Sequence, residues 1–240
     1  MFRVFPVSLL LLALIACGTR QSSSDPPDDV PRAHDAPAQH DDHATVDHQF
    51  DDIERWVAAF DDPQRDAWQK PEAVVDAMAL QPGMVVADIG AGTGYFNPYL
   101  AAAVGPEGKV IAVDIERALV AHMTTRAANE GTPQVEPRLA APDNPKLAPA
   151  EVDRILLVDT YHHIDGRVDY FRALRGALRP SGSLVLVDFK KGDIPVGPPE
   201  RHRLDPMMVE EELSTAGWRL VGSPDILPYQ YVLVWEVAPD

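Results

Sequence analysis

The stretch Met84-Val-Val-Ala-Asp-Ile-Gly-Ala-Gly-Thr-Gly-Tyr-Phe96 constrains this chain more than any other. Val85, Val86, Ala87 and Ile89 are apolar and rich in β-branched side chains, and Pro82-Gly83 marks a turn before them, so the segment reads as a buried strand. Gly90, Gly92 and Gly94 follow, and a helical run begins near Tyr95. A strand, a glycine-rich turn and a helix in that order build an edge where backbone can pass close to a ligand, because no Cβ stands in the way. The chain has 240 residues, 45% of them hydrophobic, which suffices for one large α/β domain with appendages around that edge.

The spacing narrows the chemistry. A dinucleotide fingerprint, G-x-G-x-x-G, would need a glycine where Tyr95 stands. The strand also carries an acid near its end, Asp88. A second strand, Lys109-Val-Ile-Ala-Val113, ends in Asp114, at the separation of about 20 residues that a nucleotide fold places between glycines and acid. Asp88-Ile-Gly90-Ala-Gly92-Thr-Gly94, followed by Asp114, resembles motif I and the next acidic position of class I S-adenosylmethionine (SAM)-dependent methyltransferases. The resemblance implies that the glycine turn packs against the amino-acid part of SAM and that Asp114 holds the ribose hydroxyls. It implies a cofactor-binding set of Asp88, Gly90, Ala91, Gly92, Gly94, Tyr95, Asp114, Ile115, Asp143 and Asp159. In that set Asp143 would accept a hydrogen bond from the adenine amino group, although Ala140-Ala-Pro-Asp143-Asn-Pro145 also reads as the start of a turn.

The first residues belong to no core. Met1-Phe-Arg3 carries one positive charge and Val7 to Ile15 is an apolar run too short to span a bilayer, the pattern of a secretory leader. Leu14-Ile15-Ala16-Cys17 resembles the lipobox of bacterial lipoproteins, which implies cleavage after residue 16 and a lipid on Cys17, the only cysteine in the chain. Two or three acyl chains would anchor the protein stably to a membrane. Gly18 stands where enteric lipoproteins retained in the inner membrane commonly carry Asp, which points to an outer membrane where the cell has one. The expected location is therefore the cell envelope, on the periplasmic or extracytoplasmic face.

Residues 17–48 read as an Asp/His/Pro-rich tether, broken by Pro26, Pro27, Pro31 and Pro37. His34, His40, His43 and His48 lie among aspartates there, either as a solvated spacer or as a weak Zn²⁺ or Ni²⁺ binder. Residues 22–66 hold twelve Asp and one Glu against Arg32, Arg55 and Arg65, and the whole chain has a net charge of −16. No basic face is implied, which argues against nucleic acid as a partner, since phosphate contacts dominate that binding.

Residues 49–240 form the expected methyltransferase domain, with residues 49–82 as an N-terminal helical lid. Ile53, Trp56, Val57 and Phe60 fall at i, i+3, i+4 and i+7, one helical face. Trp68 and Gln69 sit either at the active-site mouth or in simple packing. A helix over Pro71–Leu80 leads into the strand at 84–89. Further elements follow: a helix over Phe96–Val104, the strand at 109–113, a helix from Arg117 to Asn129, and a strand at 135–139. Pro137 puts that last strand at an edge or makes it irregular. Next come a strand from Asp153 to Asp159, a helix from Arg167 to Leu178, a turn at Arg179-Pro-Ser-Gly182 and a strand at 183–188. A helix over Asp205–Ala216, capped by Gly217, and strands at 218–221 and 229–237 complete the chain. The succession predicts an α/β fold with a mostly parallel sheet. The resemblance implies the Rossmann-like seven-stranded order, helices on both faces and an antiparallel last strand.

Ligands of open α/β sheets bind at the carboxyl ends of strands. Those ends carry Asp88, Asp114, Asp159 and Asp188, with Thr160-Tyr-His-His163 after the fourth. His162 or His163 is the candidate base for removing a proton from a methyl acceptor, with Asp159 beside them; equally, one histidine could hold the loop while the other packs. Asp159, His162 and Asp188 echo the metal-binding layout of catechol-type O-methyltransferases, but Phe189 stands where that family has Asn. That leaves too few oxygen ligands for Mg²⁺, and no metal is expected. The Asn/Asp-Pro-Pro-Tyr-like motif of amino-methylating DNA and RNA enzymes has no match in Asp159-Thr-Tyr-His. Arsenite methylation needs several thiols. The expected activity is methyl transfer from SAM to a small-molecule or lipid-like acceptor. The alternative is a catalytically silent module that kept the fold, because SAM is made in the cytosol and an exported lipoprotein is not there. An NAD-type oxidoreductase is disfavoured by the glycine spacing.

Overall fold

Hydrophobic alternation along β4 (Val152–Val158) shows how the core is organised in the computed structural model, which describes residues 53–239. Ile155 and Leu157 face one buried layer, with Tyr161, Phe171, Leu174, Val209, Leu213 and Trp218. Leu156 and Val158 face the other, with Val74, Val75, Met78, Phe96, Leu100, Val104 and Met123. A strand buried on both sides needs helices on both sides. The first layer is covered by α6 (Arg167–Leu174) and α7 (Pro206–Thr215), the second by α3 (Pro71–Ala77), α4 (Asn97–Val104) and Met123 of α5 (Arg117–Glu130). Cys17 with the leader, the tether and residues 49–52 lies outside the described residues. Among the described residues no helix is long and apolar enough to cross a membrane.

The other strands are β1 (Val85–Ile89), β2 (Lys109–Asp114), β3 (Val135–Leu139), β5 (Leu178–Phe189), β6 (Trp218–Gly222) and β7 (Gln230–Val237). They form one seven-stranded sheet in the order β3-β2-β1-β4-β5-β7-β6, with β7 antiparallel to both its neighbours. This is the order the resemblance implies. β3 pairs only with β2, so Pro137, which has no N–H to donate, sits on an edge strand. The chain order reverses between β1 and β4, and the crevice at their carboxyl ends is where such a fold takes its ligand.

Two segments depart from the sequence expectation. α6 stops at Leu174, a 3₁₀ turn covers Arg175–Ala177, and β5 already starts at Leu178, which pairs with Val152. Gly176 weakens the helix, and Pro180 pushes Arg179 towards extended backbone. The expected turn at 179–182 is instead an excursion inside β5: the register jumps from Val152↔Leu178 to Arg154↔Ser183, with Ser181 at φ 64°. The helix over 71–80 is also shorter than expected, ending at Ala77.

Leu157 is fully buried at the centre of the sheet. Leu157→Ala is expected to cost about 2–5 kcal/mol through lost contacts and a cavity. A fall in the denaturant midpoint with an unchanged m-value checks this.

Candidate functional site at the carboxyl edge of the sheet

The glycine turn is built by close approach. Gly90 has φ +76°, and a Cβ there would lie 2.2 Å from Thr160 Oγ1, so the β1 and β4 loops touch through a missing side chain. The N–H groups of Gly90 and Ala91 both donate to Val113 O, which ties the turn to the end of β2. Asp114 completes the tie: its Oδ2 accepts from Gly92 N–H at 2.8 Å and its Oδ1 from Glu116 N–H at 2.9 Å. Each carboxylate oxygen keeps a lone pair for a further donor. Ile115, the next residue, is half exposed, an uncovered apolar face beside that carboxylate. Asp143, by contrast, is exposed in the turn closed by the Ala141–Asn144 bridge.

Asp88 is buried, and its carboxyl makes no hydrogen bond to another described residue. Burial, and then repulsion from Asp114, push its pKa up to about 7 against the pull of Arg65. Asp159 is also raised to about 7 by burial, with Arg65 pulling it down and Asp188 pushing it up. The backbone of Asp159 is in the left-handed region at φ 54°, which a non-glycine residue adopts at a cost of about 1–3 kcal/mol, recurrent at functional sites.

The segment over 53–69 lies on this edge as two short helices, α1 (Ile53–Phe60) and α2 (Arg65–Gln69). The expected face of α1 is half buried, and Phe60 packs over Gly92. Asp61 accepts from Thr93 Oγ1 at 2.8 Å and pairs with Arg126 at 2.8 Å. Asp66 accepts from the hydroxyls of Tyr95 and Tyr99. Arg65 stacks over the Tyr95 ring at 4.1 Å, reaches Asp159 at 3.6 Å, and donates to Phe60 O and Gln69 Oε1. Gln69 is fully buried, donates to Gln230 Oε1 at 2.7 Å, and Gln230 donates to Asp159 Oδ1 at 2.6 Å. Arg65, Gln69, Gln230 and Asp159 thus close a ring of polar contacts. Trp68 is half buried beside Phe189, with ring centroids 6.0 Å apart.

The two histidines separate. His163 is exposed and stacks on His162 at 4.1 Å. His162 turns inward, and its Nδ1–H donates to both oxygens of the fully buried Asp188 at 2.9 and 3.0 Å. Burial works against the imidazolium, but the Asp188 hydrogen bond and the charges of Asp188 and Asp159 outweigh it and raise its pKa above the ordinary histidine value. Among the described residues no three His, Cys, Asp or Glu side chains group as a metal site.

Sequence reasoning found the strand-end acids and the glycines. It does not single out Asp61, Arg65, Asp66, Arg126 or Gln230. A glutamine opening a mostly apolar final strand is the available signal for Gln230.

The fold is the Rossmann-like fold of SAM-dependent methyltransferases. Residues 86–182 match the family model described as a methyltransferase domain. The structure is similar to a SAM-dependent methyltransferase from Aquifex aeolicus, at a TM-score of 0.73 and 27% identity over 76% of this chain and 97% of that one. The PH0226 protein of Pyrococcus horikoshii OT3 shares the fold at a TM-score of 0.58 and 16% identity, over 72% and 90% of the two chains. So does the [4+2]-cyclase SpnF, at 0.62 and 13%, over 72% and 81%. An uncharacterised 37.1 kDa protein in transposon TN4556 of Streptomyces fradiae is 30% identical over 113 residues; the match spans 47% of this chain and 32% of that protein. The family match and the Aquifex structure support SAM as the cofactor. The residues fit it: a sulfonium and an ammonium suit an edge with four aspartates, and uncovered Ile115 beside Asp114 suits a nucleoside.

Asp88 gives a test of the edge without ligand. Its folded pKa is raised, so the stability it confers is full below about pH 4 and is lost as pH rises towards 7. Asp88→Asn is expected to flatten this decline, seen by denaturant titration of both proteins across pH 4–8.

Proposed function

We propose that this chain transfers a methyl group from SAM to a small-molecule or lipid-like acceptor, and that a lipid on Cys17 holds it at a membrane on the extracytoplasmic face. In this reading residues 1–16 are a leader, 17–48 a tether and 49–240 the enzyme. The observation that carries the enzymatic part is the convergence of the Asp88–Gly94 loop and Asp114 on an edge whose buried carboxyls favour a cationic ligand. The loop from Gly90 to Gly94 with Ala91 and Tyr95 would receive the amino-acid part, Asp114 the ribose, and Ile115 with Asp143 the adenine. Asp88 and Asp159 would face the positive groups. The lipid anchor rests on Leu14-Ile15-Ala16-Cys17. That same export signal favours the second reading, a silent binding module of the envelope, since it removes the domain from the compartment where SAM is made. Sustained turnover of any acceptor eliminates the silent module.

Calorimetry with SAM tests the first reading. Binding is expected in the wild type and lost or strongly weakened in Asp114→Ala. A cation bound beside Asp88 and Asp159 lowers their pKa values from about 7, so binding near pH 7 is expected to release protons. The observed enthalpy should then change with the ionisation enthalpy of the buffer. No binding in either protein overturns the enzymatic reading.

A further inference from the structure

Tyr231 is a buried polar group that no part of the cofactor site uses. It is only 7% exposed, and its hydroxyl has no hydrogen-bond partner among the described residues. A buried hydroxyl left unpaired is destabilising, so its retention calls for a reason. Its position supplies one. Tyr231 lies directly opposite Asp188 in the β5–β7 pairing, so the two side chains stand on the same face of the sheet. Beyond burial, the titratable groups felt by its hydroxyl are Asp188, Tyr161, Asp159 and Asp205, all at the carboxyl edge or the loops above it. Tyr161 is committed elsewhere, donating to Glu212, which also holds Arg167.

His162 reaches the same Asp188 carboxylate. Asp188 takes its Nδ1–H, which sets the tautomer, and Nε2 is left with a lone pair and no partner among the described residues. A base and an unused donor therefore flank one carboxylate at the edge.

We propose that His162 and Tyr231 form the acceptor subsite, with Asp188 as the residue that positions His162, and that the acceptor is a hydroxyl compound, a phenol or alcohol. This rests on the methyltransferase reading above. The atom type follows from counting lone pairs. An attacking amine commits its one pair to the methyl carbon and has none left for Tyr231. A hydroxyl oxygen has two, so it can attack with one while Tyr231 donates to the other. A carboxylate has no proton to lose at neutral pH and would not need the base. In the step, the hydroxyl proton passes to His162 Nε2 and an oxygen lone pair forms the new O–CH₃ bond. The C–S bond breaks with its electrons going to sulfur, giving the methyl ether and a neutral thioether, and the imidazolium returns its proton to water.

The groups facing His162 are Asp188, Asp159, Arg167, the stacked His163 and the more distant His202, with Arg65 on Asp159. The acids hold the imidazolium, so the rate should climb with pH through a histidine pKa above the ordinary one. Replacing Asp188 should move that rise to lower pH.

The test uses the full chain with radiolabelled SAM and two probes, phenol and octylamine, beside S-adenosylhomocysteine binding by calorimetry. Methylation of phenol in preference to octylamine is expected. His162→Gln should lower it on the order of 100-fold or more, and Tyr231→Phe on the order of 100-fold. Both variants should bind S-adenosylhomocysteine as the wild type does, and Asp188→Asn should shift the pH profile down. Three results overturn the proposal while leaving the methyltransferase reading intact. They are methylation of octylamine alone, phenol methylation indifferent to His162→Gln and Tyr231→Phe, or neither probe methylated by a protein that binds S-adenosylhomocysteine. A wild type that binds no S-adenosylhomocysteine removes the underlying reading and this proposal with it.

Discussion

The structure depends on managing like charge at one edge of a sheet. Asp88, Asp114, Asp159 and Asp188 all end strands of the same crevice, where low dielectric makes unpartnered carboxylates costly. Each is handled differently. Asp114 is hydrogen-bonded by backbone N–H groups, Asp188 by His162, and Asp159 is held by Arg65 and Gln230, whereas the Asp88 carboxyl has no hydrogen-bond partner among the described residues. An edge left short of positive charge in this way is complementary to a ligand that brings its own.

The position of α1 and α2 follows from the same constraint. Arg65 is the guanidinium that offsets both Asp88 and Asp159, and it arrives on α2 rather than on the sheet. The acids of this segment run the other way: Asp61 and Asp66 take hydrogen bonds from Thr93, Tyr95, Tyr99 and Arg126, which belong to the glycine loop and the helices behind it. Two short helices, of which α1 has no fully buried residue, are thereby held by polar contacts to the glycine loop.

How far the sequence revealed this depends on distance along the chain. Asp88, the glycines and Asp114 are read from strand pattern and spacing because the strand–turn–helix unit is local. The sheet order follows from alternation of elements and the resemblance. The ring of Arg65, Gln69, Gln230 and Asp159 could not be read, because Gln69 and Gln230 are 161 residues apart and neither is unusual in its own neighbourhood. Asp61 and Asp66 were hidden in an acidic stretch that reads as solvated. The histidine pair was found, but only the three-dimensional pairing with Asp188 turns one inward and leaves the other exposed. At 179–182 local turn chemistry was recognised and its consequence misjudged: Pro180 and Gly182 bulge a strand instead of preceding one.

A crystal structure of the protein with S-adenosylhomocysteine tests the central claim most directly. The account predicts the ligand across the Gly90–Gly94 turn, its ribose on Asp114, its base by Ile115 and its amino-acid end towards Asp88 and Asp159. A ligand bound elsewhere, or an edge that stays closed under α1 and α2 at saturating ligand, would contradict it.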